Sequence, residues 1–235
     1  MSVIYLIRHA QASFGSEQYD QLSDLGVEQS RILGDCFRDL EVEFHGVYSG
    51  SMKRQLDTAR EVMSRMRGED SDWEPLPALE FNEYDAPSII KSQMPYMIEE
   101  DSLITEDTER LFTDRKYFQH VFNLAMQRWL AGACDGLGIE TWQEFTQRVR
   151  AGLKRLMEDH GSKKRISIFT SGGAICAAMQ IALGLSDEDA MRLILLIRNT
   201  SVTTFWYGND QLSLSCFNST AHLELHKDPE LITYR

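Results

Sequence analysis

The chain has 235 residues, 43% of them hydrophobic, which is enough for one large domain or a domain carrying an insertion. Its formal charge of −12 argues against a general nucleic-acid or anionic-membrane surface, since those need a broad basic patch, so any anion site must be local. Cys36, Cys134, Cys176 and Cys216 lie far apart with no CxxC spacing, which predicts reduced, mostly buried thiols and neither a zinc site nor a disulfide framework.

Val3 to Ile7 is an apolar run that halts at Arg8-His9-Ala10. It reads as a buried strand, too short to span a membrane and without the flanks of a secretory signal, so a cytoplasmic protein is expected. Arg8 and His9 then sit just past a strand's carboxyl end, where open α/β sheets hold their ligands. Gln11 to Gln21 is polar and suits a loop. Ser23 is placed to cap a helix whose Leu25, Ile32, Leu33, Cys36, Phe37 and Leu40 fall near one face, weakened slightly by Gly34. Val47-Tyr48-Ser49 is a second short strand, ended by Gly50-Ser51. The following helix carries Ala59, Val62, Met63 and Met66 at helical spacing, with Arg54 in its first turn, where exposed amides attract anions. Leu76 to Phe81 reads as a strand interrupted by Pro77, leading into Asn82-Glu83-Tyr84.

From Ala86 to Glu140 the pattern turns helical, with an acidic stretch from Glu99 to Glu109, and we read a helical insertion at about 86–140 within a single domain over 1–235. Phe118, Val121, Phe122, Ala125 and Trp129 share a face that is core or a lid, core being the simpler reading. Gly132 to Gly138 is a connector whose spacing matches no phosphate loop. Thr141 and Glu144 form a capping box, and the helix behind them buries Phe145, Val149, Leu153 and Leu156 before stopping at Gly161. Arg165 to Thr170 is a strand, Ser171-Gly172-Gly173 a turn, and Ala174 to Leu183 an apolar helix. Ser186 caps another helix reaching Ile197. Thr200 to Tyr207 and Gln211 to Phe217 read as strands joined by a hairpin turn at Gly208-Asn209-Asp210, followed by an irregular tail.

Strands feeding Arg8-His9, Arg54, Glu83 and Ser171-Gly172-Gly173 converge at one sheet edge. Two guanidinium forks there suit a phosphate monoester, a neutral imidazole at His9 suits attack on phosphorus, and a carboxyl of raised pKa at Glu83 suits protonation of the departing alkoxide. With that much positive charge no metal or other cofactor is expected. Glu83 has Asp85 as a rival for the acid and Glu80 as a surface neighbour. Ser171 is a phosphate contact or simply a helix cap. His45, His120, His160 and His226 read as ordinary surface or core residues, and His222 as a structural hydrogen-bonding histidine, with a catalytic role as the alternative.

In these residues the chain resembles the histidine phosphatase superfamily, the phosphoglycerate mutase-like proteins. Leu6-Ile7-Arg8-His9-Ala10 matches its Arg-His-Gly segment, Leu22-Ser23 through Gly26 its Leu-Thr-x-x-Gly, and Val47-Tyr48-Ser49 through Arg54 and Thr58-Ala59 its second arginine. Asn82-Glu83 resembles its acid segment, Ser171-Gly172-Gly173 its His-Gly-Gly turn, and Asn199 to Val202 its late asparagine strand. The resemblance implies a three-layer αβα sandwich with a mostly parallel central sheet. It also implies a phosphohistidine intermediate on His9, phosphate clamping by Arg8 and Arg54, and proton transfer by Glu83; Ser171, Gly172 and Ser13 are read beside these as further contacts to the phosphate of a small phosphorylated substrate. Three positions depart from the pattern: Ala10 replaces the glycine, Gly15 stands where many members have a phosphate-binding asparagine, and Ser171 replaces the second catalytic histidine. Losing that imidazole removes roughly 3 kcal/mol of transition-state stabilisation, about a hundredfold in rate, by analogy with an oxyanion-hole donor. A slow phosphatase is therefore expected, with a phosphate-ester-binding or regulatory protein of little turnover as the alternative and mutase activity as a third reading.

Overall fold

The computed structural model of the chain describes residues 1–13, 20–68, 73–105, 107, 109–208 and 211–234. Its strands are β1 (Ser2–Arg8), β2 (Gly46–Ser49), β3 (Leu76–Pro77), β4 (Arg165–Thr170), β5 (Val202–Gly208) and β6 (Gln211–Ser219). Its helices are α1 (Asp24–Asp39), α2 (Lys53–Arg67), α3 (Ala86–Glu100), α4 (Arg110–Thr113), α5 (Arg115–Leu130), α6 (Trp142–His160), α7 (Gly172–Leu183), α8 (Asp187–Arg192) and α9 (Ala221–Glu224). The strands form one sheet in the order β3-β2-β4-β1-β5-β6. β1 to β4 are mutually parallel, while β5 and β6 run antiparallel along one side.

β1 is an apolar run because both of its faces are covered. Ile4 and Leu6 join a core built with Phe145, Val149 and Leu153 of α6 and Ile175 and Ala178 of α7. Ile7 points the other way, into a cluster with Leu33 and Phe37 of α1 and Ala59, Val62 and Met63 of α2. Two helical layers around a mostly parallel sheet give the expected three-layer αβα sandwich. Val121, Ala125 and Trp129 of α5 belong to the first of these cores, whereas Phe118 and Phe122 are half-buried and stack on each other at 5.9 Å. Among the described residues no helix is long and apolar enough to cross a membrane.

Several local expectations are met. Ser23 caps α1 by accepting from the Gly26 amide at 3.0 Å, and Thr141 and Glu144 make the reciprocal capping box of α6. Others are corrected. The buried face of α1 is Gly26, Gln29, Ser30, Leu33, Gly34 and Phe37, while Leu40 is exposed. Gly34 is no mere weakness there: a Cβ would lie 2.5 Å from the Val62 carbonyl, so the glycine lets α1 approach α2 closely. The third strand is only Leu76–Pro77, because Pro77 has no amide to continue a ladder, and the chain turns into a 3-10 turn at Leu79–Phe81. α7 begins two residues earlier than expected, at Gly172. The helix capped by Ser186 gives way at Leu193–Leu195 to a 3-10 turn, and the tail contains the short α9. Of the thiols, Cys134 and Cys176 are buried, Cys36 is half-buried and Cys216 is exposed, and none is in a disulfide. The Asn209-Asp210 part of the expected hairpin turn, like Gly15, lies outside the described residues.

Candidate active site

The carboxyl ends of β1 and β4 lie side by side, Arg8 opposite Thr170, and the His9 amide donates to the Thr170 carbonyl at 2.8 Å. His9 and Ser171 are therefore lateral neighbours, each one residue beyond its strand. The His9 side chain is buried, and its Nδ1 lies 2.8 Å from the Ala10 carbonyl. A carbonyl only accepts, so Nδ1 carries the proton and Nε2 keeps its lone pair. Burial, then the nearby Arg54 and Arg8 guanidiniums, hold the imidazole well below its ordinary pKa, against the opposing pull of the Ala10 hydrogen bond. Both effects favour the neutral ring.

Arg54 stands in the first turn of α2, and its side chain is nearly buried. Its Nη1 pairs with Asp20 Oδ1 at 2.6 Å and its Nη2 meets the Met52 sulfur at 3.0 Å, while the other Asp20 oxygen accepts from the Lys53 amide at 2.7 Å. The first turn of α2 is tied to His9 through Thr58, whose hydroxyl donates to the Arg54 carbonyl at 2.6 Å and accepts from the Ala10 amide at 3.0 Å. Arg8 donates through Nη1 to the Ile197 carbonyl.

Glu83 follows the 3-10 turn, half-buried, and its carboxyl lies between two amides. Gly173 donates to Oε2 at 3.0 Å and Tyr84 to Oε1 at 3.2 Å. Burial raises the Glu83 pKa and outweighs the lowering by the Gly173 amide, Arg54, the Tyr84 amide and Arg8. Gly173 is required for this contact, since a Cβ there would lie 2.1 Å from Glu83 Oε1. The two neighbours serve elsewhere: Asp85 caps α3 through the Ser88 amide, and Glu80 pairs with Arg155 at 3.0 Å. Arg148 steadies the segment by donating Nη1 to the carbonyls of Leu79, Glu80 and Asn82, while its guanidinium is held by both oxygens of Glu140.

The structure places Arg8 and Arg54 within electrostatic reach of His9 and of Glu83. Ser171 is buried at the start of α7, where its hydroxyl makes no cap and instead accepts from Gln55 Nε2 at 2.8 Å. Gly172 opens α7, also buried. The Ser13 hydroxyl donates to the Leu22 carbonyl at 3.3 Å and its amide to the Gln21 carbonyl. Among the described residues no group of three or more His, Cys, Asp or Glu side chains has the arrangement of a metal site.

A buried polar web holds the His9 backbone from behind. Asn199 Nδ2 donates to the His9 carbonyl at 3.0 Å, the Thr233 hydroxyl donates to Asn199 Oδ1, and Gln29 donates to Thr233 and accepts from the Gln11 amide. Thr200, at a positive φ of 53° unusual for a β-branched residue, gives its hydroxyl proton to the Asn199 carbonyl. His222 Nε2, 3.0 Å from that hydroxyl, must therefore be the donor. Burial lowers the His222 pKa to about 4. The unfolded chain takes up this proton below about 6.5 and the folded chain refuses it until about 4, so acid favours unfolding throughout that window. At about 1.4 kcal/mol per pH unit, His222 should account for about 3 kcal/mol of stability lost between pH 7 and pH 4. Urea unfolding of His222→Gln should show a correspondingly smaller acid loss than the parent; an unchanged pH dependence would refute the assignment.

Comparison with known proteins agrees with this fold. The phosphoserine phosphatase of Entamoeba histolytica, solved as a mutant with phosphoserine, is 21% identical, with 95% of this chain and 100% of that one covered and a TM-score of 0.62. The phosphoglycerate mutase of Bacillus anthracis is 17% identical, with 97% of each chain covered and a TM-score of 0.65. A mycobacterial glucosyl-3-phosphoglycerate phosphatase is 17% identical, with 92% of this chain and 98% of that one covered and a TM-score of 0.60. A search of curated proteins returns no match. At these identities the solved structures speak to the fold, but the sequence model of the histidine phosphatase superfamily (branch 1) matches residues 4–95 and 89–220. On that match over most of its length, the chain belongs to the histidine phosphatase superfamily, branch 1.

Proposed function

We propose that this protein is a slow phosphatase that hydrolyses a small phosphomonoester through a phosphohistidine on His9. The observation that carries the reading is the buried His9 imidazole, held through Nδ1 by the Ala10 carbonyl so that Nε2 is left free to attack, with the Arg8 and Arg54 guanidiniums nearby. In the first step His9 Nε2 bonds to phosphorus as the ester P–O bond breaks, and protonated Glu83 gives its proton to the departing alkoxide. In the second, water attacks phosphorus, Glu83 takes a water proton, the P–N bond breaks and phosphate leaves. Arg8, Arg54 and the amides opening α7 at Gly172 oppose the phosphoryl charge, with Ser171 contributing one hydroxyl and Ser13 standing at the margin. Asp20 shares Arg54 and orients its fork. The phosphatases among the structural relatives support hydrolysis, and the acidic surface suits a small substrate, not nucleic acid or membrane.

Ser171 at the start of α7 also favours a second reading, a phosphate-ester-binding or regulatory protein with little turnover, because a neutral hydroxyl stabilises developing charge less than an imidazolium. The deciding assay presents p-nitrophenyl phosphate and a panel of sugar and nucleotide phosphates in the presence of a chelator, with vanadate as inhibitor. Slow phosphate release blocked by vanadate is expected. Vanadate binding without release from any ester would establish the second reading, and neither binding nor release would end both.

A further inference from the structure

Gln55 is fully buried, and all of its polar atoms are directed. Its Nε2 donates to Ser171 Oγ at 2.8 Å and to the Phe81 carbonyl at 3.3 Å, and its Oε1 faces the Met52 amide at 3.4 Å. A carbonyl only accepts and an amide N–H only donates, so these partners fix which end of the side-chain amide is nitrogen. Gly50 makes room for this placement, because a Cβ there would lie 2.1 Å from Gln55 Oε1. Ser171 occupies the N-cap position of α7, where a serine hydroxyl ordinarily accepts from the helix's own amides, yet it makes no such bond. Its oxygen is taken up by Gln55 instead. A hydroxyl that accepts from one side directs its single proton to another, and Ser171 borders His9 across the β1–β4 pair.

From this geometry we infer that Gln55 is a positioning residue that turns Ser171 into an O–H donor toward the phosphoryl group on its way to His9. The inference rests on the phosphoryl-transfer reading and gives the serine a role that neither a helix cap nor a lone hydroxyl would fill. It also accounts for a buried glutamine beside Arg54: the pair, acting together, supplies one neutral hydrogen bond where charge grows in the transition state. A donor of this kind should matter more for turnover than for ground-state binding.

The test is a double-mutant cycle on Gln55 and Ser171. Kinetics are read with p-nitrophenyl phosphate, and vanadate affinity is read by thermal shift so that binding is followed even without turnover. Ser171→Ala and Gln55→Met should each lower kcat about tenfold with KM within about twofold, and the double variant should be no slower than Ser171→Ala alone. Gln55→Glu keeps the size but presents an acceptor, which would draw the Ser171 proton inward. Its kcat should fall to the Ser171→Ala level at neutral pH and recover as acid protonates the new carboxyl, and no such recovery should occur with Ser171→Ala in place. Losses that simply multiply in the double variant, or a Gln55→Glu enzyme with parental turnover, would overturn the inference while leaving the phosphatase reading intact. A parent without turnover whose vanadate affinity falls non-additively in the same cycle would support the Gln55–Ser171 coupling and reject the phosphatase reading instead.

Discussion

Replacing His9 with alanine should lower kcat by about 10⁴-fold or more on every phosphomonoester while leaving vanadate and phosphate affinity within about tenfold of the parent. Loss of the nucleophile removes the covalent route, whereas Arg8, Arg54 and the start of α7 still present their donors to an anion. Rapid acid-free quenching of the parent with a labelled ester should trap phosphate on a histidine, as a P–N bond that acid cleaves and alkali spares, and His9→Ala should trap none. The pH profile adds a second check. Because burial and the two guanidiniums depress the His9 pKa, its Nε2 lone pair stays available as pH falls through 6.5, the point at which an ordinary histidine would be lost as a nucleophile. kcat/KM should therefore show no acid limb near 6.5. A limb there, or appreciable turnover by His9→Ala, would mean that another group attacks phosphorus.

The frame of this site is legible in the sequence because each of its strand, turn and helix units announces itself locally. An apolar run stops at Arg8-His9, glycines follow Ser49 and Ser171, and Arg54 falls in the first turn of a periodic helix. The polar parts that tune the site are harder to read. Gln55 lies in the buried stripe Gln55, Thr58, Ala59, Val62 and Met63, and Gln29 lies in the stripe Gly26, Gln29, Ser30, Leu33, Gly34 and Phe37. A count of apolar residues passes over both, although their helical spacing marks them as inward-facing, and that is the signal by which they are found. Their purpose is not local. Gln55 meets Ser171 across 116 residues and Asn199 meets His9 across 190, distances at which periodicity carries no information. The short third strand shows the converse: hydrophobicity at Leu76 to Phe81 reads as an extended run, but Pro77 ends the ladder and the 3-10 turn that follows leads into Glu83.

Glu83→Gln should reduce kcat by about 10²- to 10⁴-fold on alkyl phosphates, and much less on p-nitrophenyl phosphate, whose departing oxyanion needs little help from an acid. The sign of the pH dependence follows from the direction of the shift. Burial raises the Glu83 pKa, so the carboxyl holds its proton to a higher pH than an ordinary glutamate does. Activity that depends on that proton is present below the raised pKa and is lost as pH rises through it. The parent should thus show a basic limb in kcat/KM for alkyl esters, and the limb should vanish in Glu83→Gln because an amide has no proton to lose in that range. Arg54 and Arg8 pull the same pKa downward, and a bound dianion offsets their charge, so substrate should shift the limb to higher pH in kcat than in kcat/KM. In the proposed mechanism the amides of Gly173 and Tyr84, which donate to the carboxyl, would hold it in place as acid toward the alkoxide and as base toward water. Equal losses on the two ester types, with the basic limb intact in Glu83→Gln, would assign the proton to a different donor and leave Glu83 only the task of bridging to the start of α7.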